Sequence, residues 1–580
     1  MTALNTYRRW LARVEDDALR AELSALDEVR DAAQIEDRFY RDLAFGTGGL
    51  RGVLGAGTNR MNLYNVRRAT KGFADYINSQ NPEYRQRGVV IAYDSRRMSA
   101  EFAKETALVL CANGVKTYLF DALRPVALLS FGVRHLGAAA GVVITASHNP
   151  PQYNGYKVYG EDGAQLGPEA AAAVTERINA LSFTAAKRMD EEAARAAGLL
   201  NIIGNKEVDD EYIARVKTLS INPEIVAEAG KNLKIVYTPL HGTGNIPARR
   251  ILKELGFENV YVVPEQELPN GDFPTVSYPN PEAAEAFELG LKLAKEVDAD
   301  IVLATDPDAD RLGVRVKDKN GEYHDLTGNM SGCLLANYEI SQRKAVNGSL
   351  PEDGALIKTI VTTNLADAIA KGYGVKLIEV LTGFKFIGQQ ILGFEKSGKG
   401  SYLFGFEESY GCLIGTYARD KDAIVATMAL CEAAAYYKTQ GKTLWDAMIE
   451  MYEQFGYYKD DIKAVTMKGI EGLQKIQDIM NSLRQNPPAE FAGHKVVAVR
   501  DYKADTIKNL ETGEVTPTGL PNSNVLYYEL TNDAWVCVRP SGTEPKVKFY
   551  YGVKGISLAD ADEKSAVMGK AVLDMVDSMM

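Results

Sequence analysis

Cysteine is scarce in this chain and never closely spaced. Five occur in 580 residues (Cys111, Cys333, Cys412, Cys431 and Cys537), and none forms a C-x-x-C pair. The odd number and wide spacing argue against a disulfide framework or a thiolate zinc site and suit a reducing compartment. Histidine is equally sparse. His135, His148, His241, His324 and His494 contain no H-x-H or H-x-x-x-H pair, so no imidazole zinc site is indicated. Basic residues are not in excess: 66 face 77 acidic ones, a formal charge of −11. A general nucleic-acid binder needs basic surface, so none is expected, although a small anion can still be held locally. No apolar run approaches the ~18 residues of a membrane span. Arg8 and Arg9 are followed by Glu15, Asp16 and Asp17 rather than an apolar stretch, so no signal peptide is expected and a cytoplasmic protein is.

Nucleotide-binding fingerprints are missing too. Phe45-Gly46-Thr47-Gly48-Gly49-Leu50-Arg51-Gly52 is glycine-rich, but Arg51 stands where a dinucleotide site needs its third glycine, and no Gly-Lys-Ser/Thr follows. The segment reads either as a flexible turn or as an anion loop charged by Arg51.

What is present is a series of strand–helix alternations. Leu4, Tyr7, Trp10, Leu11 and Val14 recur at helical spacing, giving a helical extension over 1–40. From Gly88 onward, apolar runs alternate with helical patterns, which predicts mostly parallel sheets. The expected fold class is α/β: three similar mixed α/β domains in series (41–220, 221–326 and 327–455) and a smaller α+β domain (456–580). Ser99 is expected to cap a helix to Asn113, Gln485–Ala492 to be an inserted loop, and Ser557–Asp560 to open a terminal helix with a capping box.

Several motifs sit where such strands end, the place where open α/β sheets bind ligands. The apolar run Ala138–Ile144 feeds Thr145-Ala146-Ser147-His148-Asn149-Pro150. A hydroxyl there can carry a transferred group, and an ordinary Asn-Pro turn fits the same letters. Asp306, Asp308 and Asp310 follow the buried run Ala299–Ala304. In an extended segment they share one side, and three carboxylates there call for a hard cation. An EF-hand is excluded because Arg311 and Lys317 occupy its glycine and glutamate positions. Glu407 and Ser409 offer acceptors and a hydroxyl to a sugar. Arg539, Ser541, Gly542 and Thr543, with Lys548 downstream, form an oxyanion cradle or a plain turn. Arg419 to Asp422 read as a helix-entry ion-pair cluster.

Together and in this order, these segments resemble the α-D-phosphohexomutase superfamily over about residues 40–555. The resemblance implies four domains around a central cleft. It implies a phosphorylated Ser147 and one Mg²⁺ per chain, held by Asp306, Asp308, Asp310 and the phosphoserine oxygen. Arg51, His148 and Lys157 resemble the polar groups around the transferred phosphoryl. Arg311 resembles the arginine beside the metal. Thr382, Gly383, Lys385, Glu407, Ser409 and Lys421 resemble sugar contacts. Arg539, Ser541, Gly542, Thr543 and Lys548 resemble the grip on the substrate's other phosphate.

Phe384 stands where dual phosphomannomutase/phosphoglucomutase enzymes carry histidine, so the chain resembles the phosphoglucomutase/phosphopentomutase branch. The implied reaction interconverts glucose 1-phosphate and glucose 6-phosphate, with glucose 1,6-bisphosphate as intermediate and activator. Pentose phosphates, or dual action on mannose phosphate, are the alternatives. A binding or regulatory relative without catalysis could lose Ser147 or an aspartate, and all are present. The expected partners are sugar phosphates, with no nucleic acid or membrane, and the expected assembly is a monomer or weak homodimer.

Overall fold

The computed structural model describes residues 2–46, 48–467, 469–541 and 546–579. The chain forms two compact units. The first contains residues 1–326, 388–397 and 410–443, and the second contains 327–387, 398–409 and 444–580.

In the first unit the N-terminal extension forms three helices, Ala3–Arg13, Asp17–Ser24 and Ala32–Phe39. Thr2 caps the first, accepting from Asn5 N. Their apolar stripe supplies Tyr7, Trp10, Val14 and Phe39 to a cluster shared with Tyr64 and Phe183, so the extension packs as part of the unit.

The first sheet has the order Gly49–Val53, Tyr153–Tyr159, Ala140–Ile144, Val89–Tyr93, Thr117–Phe120, Leu200–Ile203. Its last four strands are parallel and the first two join antiparallel. Ala140–Ile144 is buried along its whole length, which explains its unbroken apolar run. The second sheet repeats the plan. Asn259–Val262, Lys234–Thr238 and Ile301–Thr305 are parallel, and Leu312–Lys317 returns antiparallel beside Ile301–Thr305, followed by Tyr323–Leu326. In both sheets a buried parallel strand ends in a loop that doubles back onto the same strand. Ser147 lies in one such loop and the aspartates in the other. The repeat is therefore structural even though the letters of the units differ.

In the second unit, Lys376–Val380, Gly354–Thr359 and Ser401–Glu407 run parallel. The C-terminal sheet is antiparallel. It runs Tyr457–Thr466, Lys546–Gly555, Trp535–Pro540, Leu526–Leu530, His494–Asp501, Thr506–Asn509, Val515–Thr516.

Three local expectations change. The helix Ser99–Ala112 is entered through Met98 in the left-handed region (φ 67°), and Ser99 is its first residue. The Ser99 hydroxyl donates to Asp94 instead of capping. The stretch read as an inserted loop is irregular over 486–489, but it begins on the last residue of a helix, Gly469–Gln485, and contains a short strand, Glu490–Phe491, on His494–Asp501. At the terminal helix Leu558–Met579 the Ser557 hydroxyl accepts from Asp560 N, but the Asp560 carboxylate reaches Ile556 N and Lys564, so the box is half formed.

Candidate functional site

Ser147 is held in the left-handed region (φ 51°). That conformation costs a serine about 1–3 kcal/mol and persists only where neighbours impose it. Thr145 begins the imposition. Its Oγ1 accepts from Ser147 N at 2.8 Å and donates to Asp308 Oδ2 at 3.2 Å. The Ser147 hydroxyl donates to Asp306 Oδ2 at 2.8 Å and lies 3.1 Å from His148 Nδ1. Ser147 is 3 % exposed, so a group carried there is largely screened from bulk water.

The aspartates converge by a turn, which corrects the expectation of an extended segment. Ala309 N donates to Asp306 O and Ala309 has φ 50°. This turn brings one oxygen of each of Asp306, Asp308 and Asp310 within 4.8 Å of one another, all three residues being buried. Asp306 Oδ1 accepts from Asp310 N and Arg311 N at 3.1 and 3.0 Å. Lys157 Nζ donates to Asp308 Oδ2 at 3.0 Å, and Lys421 Nζ lies 3.2 Å from Asp310 Oδ2.

Asp308 Oδ1 and Asp310 Oδ1 remain buried with no hydrogen-bond partner among the described residues. An orphaned carboxylate oxygen is costly, and two of them beside a third carboxylate match the donors of a hard divalent cation. Burial and the neighbouring Asp308 and Asp310 push Asp306 well above the usual carboxylate range. Burial alone would raise Asp310 as well, but Lys421, Lys157 and Arg311 bring it below that range.

Around this centre, Arg51 does not sit on a flexible loop. Gly49–Val53 is a strand, and Arg51 lies opposite Gly155 with its guanidinium on Asn149 Oδ1 at 3.2 Å. Gly49 serves strand packing: a Cβ there would meet Tyr156 O at 2.4 Å. Burial, then Arg311 and Arg51, drive the His148 imidazole well below its ordinary pKa. Arg311 pairs with Glu282, a partner the sequence did not disclose, and its Nε lies 3.9 Å from Asp310. The structure thus assembles Ser147, His148, Lys157, Arg51, the three aspartates, Arg311 and Lys421 within the first unit. Lys421 is engaged by Asp310 and Asp420.

The remaining candidates belong to the second unit. Gly383 N donates to Glu407 Oε1 at 2.9 Å. Gly383 has φ 121°, which glycine tolerates and other residues do not. The Thr382 hydroxyl is buried without a hydrogen-bond partner among the described residues. Burial lowers the Lys385 ammonium pKa. Ser409 is half-buried just past Glu407.

Glu408, to which the sequence assigned no role, accepts from Thr359 Oγ1 at 3.3 Å. Burial and then Glu407 push it up to about 7, against the opposing pull of Arg539 and Lys548. Arg539 and Lys548 face each other across adjacent antiparallel strands, and Ser541 N donates to Lys546 O at 2.7 Å. Gly542 and Thr543 lie outside the described residues. Among the described residues no helix is long and apolar enough to cross a membrane.

Comparison with known proteins finds one family along most of the chain. Residues 42–185, 210–321 and 327–455 match the phosphoglucomutase/phosphomannomutase alpha/beta/alpha domains I, II and III, and 480–561 match the C-terminal domain of the same family. A phosphoglucomutase of Staphylococcus epidermidis is 38% identical over 510 residues, covering 88% of this chain and 90% of that protein. One from Staphylococcus aureus is 36% identical over 561 residues, covering 96% and 97%. Among solved structures, parafusin (a phosphoglucomutase) from Paramecium superimposes with a TM-score of 0.66 at 16% identity, over 93% of this chain and 95% of that one. A phosphoglucomutase/phosphomannomutase family protein from Burkholderia thailandensis gives 0.62 at 20%, over 92% and 97%. At those identities the likeness is one of fold. On the family match and the relatives' identity, the chain belongs to the phosphoglucomutase/phosphomannomutase family, with its three alpha/beta/alpha domains and a C-terminal domain.

Proposed function

We propose that this chain is a phosphoglucomutase in which Ser147 carries the phosphoryl group. One observation carries the reading: the Ser147 hydroxyl, in a strained turn, lies 2.8 Å from a carboxylate of a buried aspartate triad that retains two oxygens without a hydrogen-bond partner among the described residues. Asp306, Asp308, Asp310 and an oxygen of phospho-Ser147 would hold one Mg²⁺, which when bound offsets the charge of the transferring phosphoryl oxygens.

The chain's own groups do the rest. The free hydroxyl of glucose 1-phosphate attacks phosphorus and the bond from phosphorus to Ser147 Oγ breaks, giving glucose 1,6-bisphosphate. The hydroxyl proton passes to His148 and returns to Ser147 Oγ, to which Nδ1 is already hydrogen-bonded. Arg51 and Lys157 hold charge beside the transfer, and Arg311 orders the aspartate turn. The bisphosphate then presents its other phosphate: Ser147 Oγ attacks that phosphorus as its bond to the sugar O1 breaks, the seryl proton passes by way of His148 to O1, and glucose 6-phosphate leaves. Glu407, Ser409, Thr382, Gly383, Lys385 and Lys421 are assigned to the sugar. Arg539, Ser541, Gly542, Thr543 and Lys548 are assigned to the phosphate that is not transferred. The five cysteines are free and buried, which suits a cytoplasmic enzyme, acting as a monomer or weak homodimer.

The test is a coupled assay with Mg²⁺ and glucose 1,6-bisphosphate. Glucose 1-phosphate should be turned over with a kcat/KM at least about tenfold above ribose 1-phosphate and mannose 1-phosphate. Intact mass should show ~80 Da on the peptide containing Ser147. Preference for ribose 1-phosphate would replace the reading with a phosphopentomutase, and an active Ser147→Ala enzyme would falsify the carrier role.

A further inference from the structure

The Arg96 guanidinium lies buried beneath the Ser147 turn. One terminal nitrogen donates to Pro150 O at 2.9 Å and Tyr153 O at 3.1 Å. The other donates to Ser147 O at 2.5 Å and to Asn149 O. Four carbonyls between Ser147 and the first residue of the strand Tyr153–Tyr159 therefore meet one planar group, which only a fork of fixed donors can serve. Asp94 sets that fork. Its Oδ2 lies 3.4 Å from Arg96 Nε, and its Oδ1 accepts from Arg96 N at 2.9 Å and Ser99 Oγ at 2.7 Å.

The Phe273 ring covers the guanidinium at 5.0 Å. Phe273 comes from the long connection of the second sheet and is itself held at φ 45°. Its segment is pinned on both sides. Asp272 pairs with Arg97, and Gly271 approaches so closely that a Cβ would lie 2.5 Å from Arg97 N. His241 bonds Leu268 O through Nδ1 (3.1 Å) and Thr275 Oγ1 through Nε2 (3.0 Å).

The direction of a carbonyl fixes its peptide plane. Holding the carbonyls of Ser147 and Asn149 therefore fixes the planes that set the left-handed turn. An arginine that only balanced Asp94 would have no need of these bonds. We propose that Arg96 is the positioning residue of the Ser147 loop, fixing the direction in which the seryl oxygen is presented, and that Phe273 of the second sheet keeps this brace dry and in place. The proposal rests on the reading of Ser147 as phosphoryl carrier. It adds a dependence of phosphoryl transfer on a loop that touches neither sugar nor phosphate.

The test compares wild type, Arg96→Lys and Phe273→Leu by kcat and KM for glucose 1-phosphate, by the rate at which radiolabelled phosphoenzyme passes its label to sugar, and by Tm. Lysine cannot span four carbonyls, so Arg96→Lys should lower kcat and the transfer rate about 100-fold while KM stays within about threefold. Phe273→Leu keeps the hydrogen bonds but loses the ring face, and should lower kcat about fivefold. A folded Arg96→Lys with wild-type kcat, or with a loss confined to KM, overturns the proposal. If Arg96→Lys does not fold, Phe273→Leu decides, and an unchanged transfer rate overturns it. Failure of the underlying reading looks different: the wild type itself would form no phosphoenzyme.

Discussion

The Ser147 hydroxyl donates to Asp306 across 2.8 Å although 159 positions of sequence separate them. Two loops of the same construction make this meeting, each thrown out by a buried parallel strand that turns back on itself. The nucleophile comes from the first sheet and the acidic cluster from the second. Each loop places one residue in the left-handed region, Ser147 and Ala309.

The first prediction concerns the cation. Lys157 and Lys421 each engage one aspartate of the triad, yet Asp308 Oδ1 and Asp310 Oδ1 have no hydrogen-bond partner among the described residues. Mg²⁺ should therefore stabilise the fold by mass action, about 2.7 kcal/mol at a concentration 100-fold above Kd, read as a rise in Tm. Chelation should remove both the rise and the activity. Asp308→Asn should abolish the Tm response, and an undiminished response in that variant would place the cation elsewhere.

The second prediction concerns the N-terminal helices. Trp10 is fully buried and stacks on Phe183 at 4.5 Å and 13°, with Tyr64 and Phe39 against its edges. Trp10→Ala should cost about 3–5 kcal/mol, seen as a lower urea midpoint. Because no residue of the Ser147 loop belongs to this cluster, kcat of the remaining folded enzyme should hold. A large fall in kcat at unchanged stability would contradict that separation.

Much of the Ser147 centre was legible because its chemistry sits at strand ends, where an apolar run stops and serine or aspartate begins. The route by which the aspartates converge was not legible. Alternation in the letters suggested a pleat, whereas a turn through Ala309 does the work. Gly46 and Gly48 do sit in a turn, but the strand role of Gly49 was not legible because its partner strand, Tyr153–Tyr159, is remote in sequence, and no local pattern announces that Gly49 must pack on Tyr156. Arg96 was invisible for the same reason, since its acceptors lie 51 to 57 residues away. The helix Gly469–Gln485 did carry a signal: Ile476, Ile479, Met480 and Leu483 fall at helical spacing and are buried.

The third prediction follows from that misread glycine. Gly49 faces Lys157 in the strand pair, and a methyl there would sit 2.4 Å from Tyr156 O and 3.1 Å from Lys157 Cα, contacts that backbone cannot relieve by rotating a side chain. Gly49→Ala should cost about 1–3 kcal/mol. It should also displace Arg51 and Lys157 together, so kcat should fall beyond what the lost folded fraction explains. Gly46→Ala provides the comparison, because φ 52° strains it but the nearest atom to its Cβ is 3.6 Å away. It should affect stability with little change in the kcat of folded enzyme.

The fourth prediction is a pH dependence in the second unit, away from the metal ligands. Burial raises the Asp460 carboxyl from 3.8 to about 6, only partly opposed by a hydrogen bond from Thr363 and the charges of Lys358 and Lys459. The folded state thus keeps its proton between about pH 4 and 6, where the unfolded chain has already released it. Stability linked to Asp460 is full below pH 4 and declines as pH rises through 6, because the folded state binds more protons over that window. The two-unit displacement sets an upper bound of about 3 kcal/mol. Urea midpoints of wild type and Asp460→Asn between pH 4 and 7 isolate this group from others that titrate alongside it. The wild type should lose ground to the variant as pH rises, with the gap levelling off above pH 6. Parallel curves across the whole range would show that Asp460 ionises in the folded protein as it does in water.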